Sequence, residues 1–390
     1  MSFESVNNPC GCESGLEYPY CCGASDRKEL NLLAKISNEG AIEGNIPEGL
    51  SLAIENINST PDLYPVKLNL FRDNVQFVKM SPYWYSESVF LDPGRILGTC
   101  AVESTTQWLL AKTQDIPSNI TPVIFHTAFC GSTLMSNALD AIYDCLPIRE
   151  PEALSNLQVY LRSQLPEPQK AIWFQRVFNL LGRRYEDKQV AVIKANDYGN
   201  GLIRDTMMRR PETPVLLMYT PLADFFAGCM KAPNRKTWIK DRYKAIVGVA
   251  TEKLSGLTTA NIDEHSIGQV AAVYWSYNMA LYSSALKKDT SIIRSLNFND
   301  MLKAPLDAVI ACAELFGLEQ QNGVKPADEM KWLLGVYSKD ATYEYSPRKR
   351  RDDLQQILNN NVEEMAIAEK TARLLLGDNY PVNGLAKSLV

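Results

Sequence analysis

Pro122 to Leu139 reads PVIFHTAFCGSTLMSNAL, and the fold turns on this stretch. Val123, Ile124 and Phe125 predict a short buried strand. A loop of mostly small residues follows, Ala128-Phe129-Cys130-Gly131-Ser132-Thr133. Leu134, Ala138 and Ile142 then recur at helical spacing. Strand, tight loop and helix is the geometry that sets backbone N–H groups and a helix N-terminus against a phosphate or sulfate. Ser132 and Thr133 fall where the helix opens, so their hydroxyls can cap it or bond an anion. The loop is not a Walker A loop, because Gly-x-x-x-x-Gly-Lys-Ser/Thr is absent. An ordinary βα turn has the same outline, and the stretch alone leaves both readings open.

Downstream, the chain alternates. Asp144 to Pro151 predicts a second short strand and a turn, with Arg149 at the strand's C-terminal end. In an open parallel sheet that edge is where ligands bind. Pro166 to Gly182 has helical spacing through Ile172, Val177, Leu180 and Leu181. QVAVIK, Gln189 to Lys194, is a third strand ending in a lysine, which either supplies the cation the loop lacks or is salt-bridged. PVLLMY, Pro214 to Tyr219, is a fourth strand, followed by a turn through Thr220 and Asp224 and an apolar helix through Phe225, Phe226 and Met230. Lys231, Arg235, Lys236, Lys240 and Arg242 form a basic patch with Trp238. A helix is expected from about Ser266 to Leu286, a fifth strand over Ser291 to Phe298, and a helix ending at Phe316-Gly317. The run Arg348 to Arg351 reads either as a solvated helix start or as a ligand contact, ahead of a helix from about Asp353 to Leu376. This order predicts an α/β fold, a three-layer parallel sheet with helices on both faces.

Upstream, Glu29 to Ile36 has a helical pattern and Asn38 to Gly49 is polar. Residues 66–118 are rich in aromatics and predict a strand or two, then a helix from about Thr105 to Lys112. Tyr83, Trp84, Tyr85 and Phe90 either line an acceptor pocket or pack between domains.

At 390 residues the chain holds one large domain plus a small module, or two domains. Its 46% hydrophobic content is ordinary for a globular protein, and a net charge of −5 gives no reason to expect nucleic-acid binding. Met1 to Pro9 is polar, with no apolar secretory core, and no run of about 18 apolar residues occurs. A soluble cytoplasmic protein with no membrane span is expected.

Nine cysteines are unevenly spread, with four at Cys10, Cys12, Cys21 and Cys22. Thiolates spaced Cys-x-Cys, eight residues, Cys-Cys around a Gly/Ser turn suit tetrahedral zinc. A segment this short builds no core without such help. The stretch NPCGCESGLEYPYCCG resembles the SEC-C zinc motif through Cys10, Cys12, Ser14, Gly15, Tyr18, Cys21 and Cys22, with Glu13 where the motif usually has Gly. The resulting organisation is a zinc module over residues 1–25, a mixed α/β extension over 26–118 and a main domain over 119–390.

With these pieces placed, residues 119–376 resemble the sulfotransferase family of the P-loop fold, particularly a bacterial branch with loops like FHxAFCxSTL and a following Arg-Glu-Pro turn, here Arg149-Glu150-Pro151. The resemblance implies sulfuryl transfer from 3′-phosphoadenosine 5′-phosphosulfate (PAPS) to a hydroxyl or amine of a small acceptor. It implies donor contacts at Phe129, Cys130, Gly131, Ser132, Thr133, Arg149, Thr220 and Gly228. It leaves Lys194 as a catalytic candidate, together with His126, which is a base, a sulfate contact or a hydrogen-bonded structural residue of the strand; Glu150 and Asp197 are alternative bases. The zinc module then offers a surface to a protein partner.

Three family positions depart. The loop's Lys/Arg is Phe129, the 3′-phosphate Arg is Thr220, and its Ser partner eight residues on is Gly228. Losing that last pair costs about 2.5–4 kcal/mol of donor binding unless Lys194, Arg149, Lys231 or Arg235 restores it. A related donor, or a catalytically lapsed member acting as a binding module, is the alternative. A kinase or NTPase is disfavoured by the missing Walker lysine.

Overall fold

The structure, a computed structural model, describes residues 32–39, 41–44, 49–250, 259–337, 340–344 and 346–390. The four cysteines expected to hold zinc lie outside these residues. Among the described residues twelve strands follow in chain order: β1 Leu32–Ile36, β2 Ile42–Gly44, β3 Leu63–Asn69, β4 Asn74–Lys79, β5 Thr99–Ser104, β6 Val123–His126, β7 Cys145–Arg149, β8 Val190–Lys194, β9 Val215–Tyr219, β10 Ile293–Asn297, β11 Val336–Tyr337 and β12 Asp340–Glu344. Contacts divide the chain into two compact units. Of the described residues, the first holds those between 32 and 123, 143–213 and 318–321; the second holds 124–142 and those between 214 and 317 and between 322 and 390.

In the first unit a five-stranded sheet has the order β2-β1-β5-β4-β3. Only β1 and β5 pair in parallel; the other neighbours are antiparallel. The helical pattern read over Glu29 to Ile36 gives way to a strand from Leu32, because β1 finds partners on both sides, β2 and β5, and ladder pairing overrides a weak local preference. The aromatic region likewise holds three strands, β3, β4 and β5, rather than one or two. Between them Pro82–Glu87 is a helix, opened by Ser81, whose hydroxyl accepts from Trp84 N, and by Pro82 at its first position. Thr105 caps the helix Thr106–Lys112 in the same way. Trp84, Tyr85 and Phe90 are buried, whereas Tyr83 is exposed, so most of this cluster is packing.

Also in the first unit, β7 and β8 run parallel in register, with Arg149 opposite Lys194 at the strand ends. The helices Glu152–Leu161 and Glu167–Leu181 follow β7. Arg183 is the unit's polar tie. It is fully buried, and its guanidinium donates to the carbonyls of Leu180, Ile57, Thr60 and Leu63 at 2.7–2.8 Å. Burial pulls its pKa down to about 10, partly offset by Tyr85, Tyr185 and Asp62.

In the second unit β9 and β10 run parallel, Val215 opposite Ile293 through Tyr219 opposite Asn297. Thr127 N donates to Met218 O at 3.2 Å and ties the end of β6 to β9. The helices Leu222–Met230, Pro233–Ala250, Ile267–Leu286 and Val362–Leu376 pack around these strands. The single helix expected from Asp353 to Leu376 is two, Pro347–Asn359 and Val362–Leu376, broken at Asn360-Asn361. Asparagine favours caps and turns, and Asn361 Nδ2 donates to Ile357 O across the break. The basic run therefore lies inside the first of these helices, not ahead of it. The C-terminal tail runs beside β10: Ser295 N donates to Lys387 O and Leu389 N donates to Ser295 O. This covers backbone that an exposed edge would leave unpaired.

The chain is thus mixed α/β, with parallel strands flanked by helices. Among the described residues no helix is long and apolar enough to cross a membrane.

Candidate functional site

The loop after β6 lies in the second unit and is unusual in its backbone. Ala128, Phe129 and Gly131 have φ of 66°, 54° and 73°, three left-handed residues in four. For a non-glycine residue that conformation costs roughly 1–2 kcal/mol. Specific contacts hold it in place. Ala128 N donates to His126 Nδ1 at 3.1 Å, and Gly131 O accepts from Met135 N at 3.0 Å as the helix Ser132–Ile142 begins. Cys130, Ser132 and Thr133 are buried.

Cys130 sits at the heart of the loop. Its thiol donates to Met218 O at 3.5 Å. Burial raises its pKa, but hydrogen bonding from His126 and from the backbone at Thr127 and Ser132 outweighs this and brings it below the ordinary thiol value. His126 uses Nδ1 as an acceptor, so a neutral imidazole carries its proton on Nε2. That tautomer suits a hydrogen-bond donor to an oxyanion better than a proton acceptor.

Two of the expected donor positions, Phe129 and Gly228, meet in space. A Cβ on Gly228 would stand 2.7 Å from Phe129 Cδ2 and 2.9 Å from Cγ. The Phe129 ring also packs on Phe225 and Trp238, with centroids at 5.9 and 5.1 Å. Phe129 thus occupies the room a side chain at 228 would need. A serine at this position, Gly228→Ser, is expected to destabilise the protein by about 1–3 kcal/mol through overpacking. Phe129→Ala in the same chain should remove most of that penalty. Thermal denaturation of the single and double variants checks this, and a Gly228→Ser protein as stable as the parent would contradict it.

A third expected donor position, Thr220, is fully buried just past β9. Its carbonyl accepts from Trp275 Nε1 at 2.9 Å, while among the described residues its hydroxyl has no hydrogen-bond partner. A second aromatic ring closes the other flank of the loop. A Cβ on Gly131 would meet Phe298 Cε2 at 2.2 Å. Arg350 lies over that ring, 4.6 Å from its centroid, and bonds Asp224 at 3.1 Å. Sequence reading took Arg350 with its charge run and did not separate it from its neighbours. Its side chain is 14% exposed whereas that of Arg348 is 87% exposed. Only packing separates the two.

In the first unit, the remaining candidates are committed to local partners. Lys194 is buried, pairs with Glu150, and lies 5.4 Å from the Phe90 centroid. Glu150 has φ of 52° and its N–H donates to Lys194 O. Arg149 Nη1 donates to the carbonyls of Tyr85, Ser86 and Ser88 at 3.0, 2.7 and 3.3 Å. Asp197 is buried in the short helical turn Asp197–Leu202. Among the described residues no group of three or more His, Cys, Asp or Glu is placed to hold a metal.

No family model matches the chain, and no curated protein matches it. Among solved structures it is similar to a sulfotransferase from Alicyclobacillus acidocaldarius, at 14% identity, TM-score 0.31, covering 65% of this chain and 97% of that one. It is also similar to the sulfotransferase domain from the curacin biosynthetic pathway, at 10% identity, TM-score 0.35, covering 63% and 98%. A third is sulfotransferase STF1 from Mycobacterium tuberculosis H37Rv, at 14% identity, TM-score 0.36, covering 67% and 82%. Overlaps this loose assign no activity, and the functional reading rests on the residues themselves.

Proposed function

We propose that this chain is a sulfotransferase-like enzyme of the P-loop type, moving a sulfuryl group from PAPS or a related nucleotide donor to a hydroxyl or amine of a small acceptor. The observation that carries the reading is the loop at Ala128 to Thr133, with its three left-handed residues, set at the opening of a helix. Strained backbone of this kind persists where its surroundings over-determine it, and it clusters at ligand clamps. The sequence resemblance supplies the donor class.

Sulfuryl transfer spreads charge over equatorial and leaving oxygens, so the protein's work is positioning and electrostatic stabilisation. In this reading loop N–H groups and the hydroxyls of Ser132 and Thr133 hold the phosphosulfate. His126 donates from Nε2 to an oxygen of the transferred group. The alternative, a lapsed member retained for binding, draws on Phe129 filling the space beside Gly228 and on the uncharged Thr220.

Calorimetric titration with adenosine 3′,5′-bisphosphate, with ATP as control, tests the proposal. Micromolar binding is expected. No binding at millimolar ligand would overturn the PAPS-type reading and leave the lapsed one.

The four cysteines at positions 10, 12, 21 and 22 are proposed to bind structural zinc and to serve a protein partner. Metal analysis of the purified full-length chain should find stoichiometric zinc, with Cys21→Ser abolishing it. A metal-free parent chain under reducing conditions would refute the assignment.

A further inference from the structure

We propose that Arg235 is the anion-binding residue of the loop, carried on the Phe129 ring in place of the cation the loop itself lacks. This rests on the reading of Ala128 to Thr133 as an oxyanion cradle.

Four cations stood near enough in sequence terms to make good the loss at Phe129 and Thr220: Lys194, Arg149, Lys231 and Arg235. Three of them are taken up. Lys194 is paired with Glu150, Lys231 with Asp353, and Arg149 is held by three main-chain carbonyls. Arg235 differs. Among the described residues no carboxylate pairs with it. Its guanidinium carbon lies 4.8 Å from the Phe129 centroid, and Nη1 donates to Gly228 O at 3.1 Å. Two further donor arms of the planar fork remain for a ligand.

The substitutions that remove the family's charge build this seat. Phe129 gives the guanidinium a flat, electron-rich face. Gly228 leaves room for that ring, and its carbonyl fixes one end of the fork. A lysine would keep the charge and lose both the stack and the two-point geometry. The ligand chemistry is a phosphate or sulfuryl oxyanion bound by the loop.

The test titrates the full-length wild type, Arg235→Ala, Arg235→Lys and Lys231→Ala with adenosine 3′,5′-bisphosphate and separately with inorganic pyrophosphate. Arg235→Ala should weaken binding of the anion by about tenfold to a hundredfold, the range of a charged hydrogen bond. Arg235→Lys should recover part of the loss, and Lys231→Ala should bind like the wild type. Circular dichroism melting confirms that each variant is folded.

Pyrophosphate binding that depends on Arg235, with no bisphosphate binding, would keep this inference and sink the nucleotide-donor reading. Wild-type binding of either probe that Arg235→Ala leaves unchanged would overturn the inference alone. A wild type that binds neither probe would overturn both.

Discussion

Arg183→Leu is expected to destabilise the first unit by about 3–5 kcal/mol. The guanidinium is fully buried and bonds four main-chain carbonyls drawn from two distant segments, Ile57 to Leu63 and Leu180. Leucine removes the donors and leaves those acceptors in a medium that offers few replacements. Arg183→Lys should recover little, because a single ammonium cannot span four carbonyls as a planar fork does. Urea unfolding followed by tryptophan fluorescence reads this, since Trp84 and Trp108 are buried in the same unit. A loss below about 1 kcal/mol would show that the carbonyls find other partners.

Gly131→Ala should cost about 2–4 kcal/mol in the second unit. Two penalties combine. The residue has φ of 73°, and its new methyl would meet the Phe298 ring at 2.2 Å. That ring has little freedom, since Arg350 covers it and is itself anchored to Asp224. The steric share can be isolated by a double-mutant cycle with Phe298→Ala. The paired variant should be at least about 1 kcal/mol more stable than the sum of the singles predicts. Strict additivity would place the whole effect in the backbone angle.

Both residues show how unevenly sequence reports structure. The strand–loop–helix at Val123 to Ile142 was legible because a short apolar run, a small-residue loop and a helical repeat are all local signals. The same holds for β7 to β10 and for the helix starts near Thr105 and Ser266. β1 was misread because five residues of LLAKI carry no clear period, and its pairing with β5 joins segments far apart in the chain. Arg183 drew no attention in a run of charged residues. Its burial follows from where Ile57 to Leu63 pass, which no local pattern encodes. Arg149 and Lys194 were correctly placed at strand ends, but their partners were not visible.

What the sequence determined by itself is the alternation of strands and helices, the small-residue loop with its Ser-Thr helix opening, and the absence of a loop cation. Each depends on neighbours a few residues apart. What only the tertiary structure decided is how that absence is accommodated. Phe129 lies against Gly228, Arg235 lies over Phe129, and Phe298 lies against Gly131, all between residues far apart in the chain. Contacts of this kind are set by packing density and steric fit, which leave no periodic trace in a sequence.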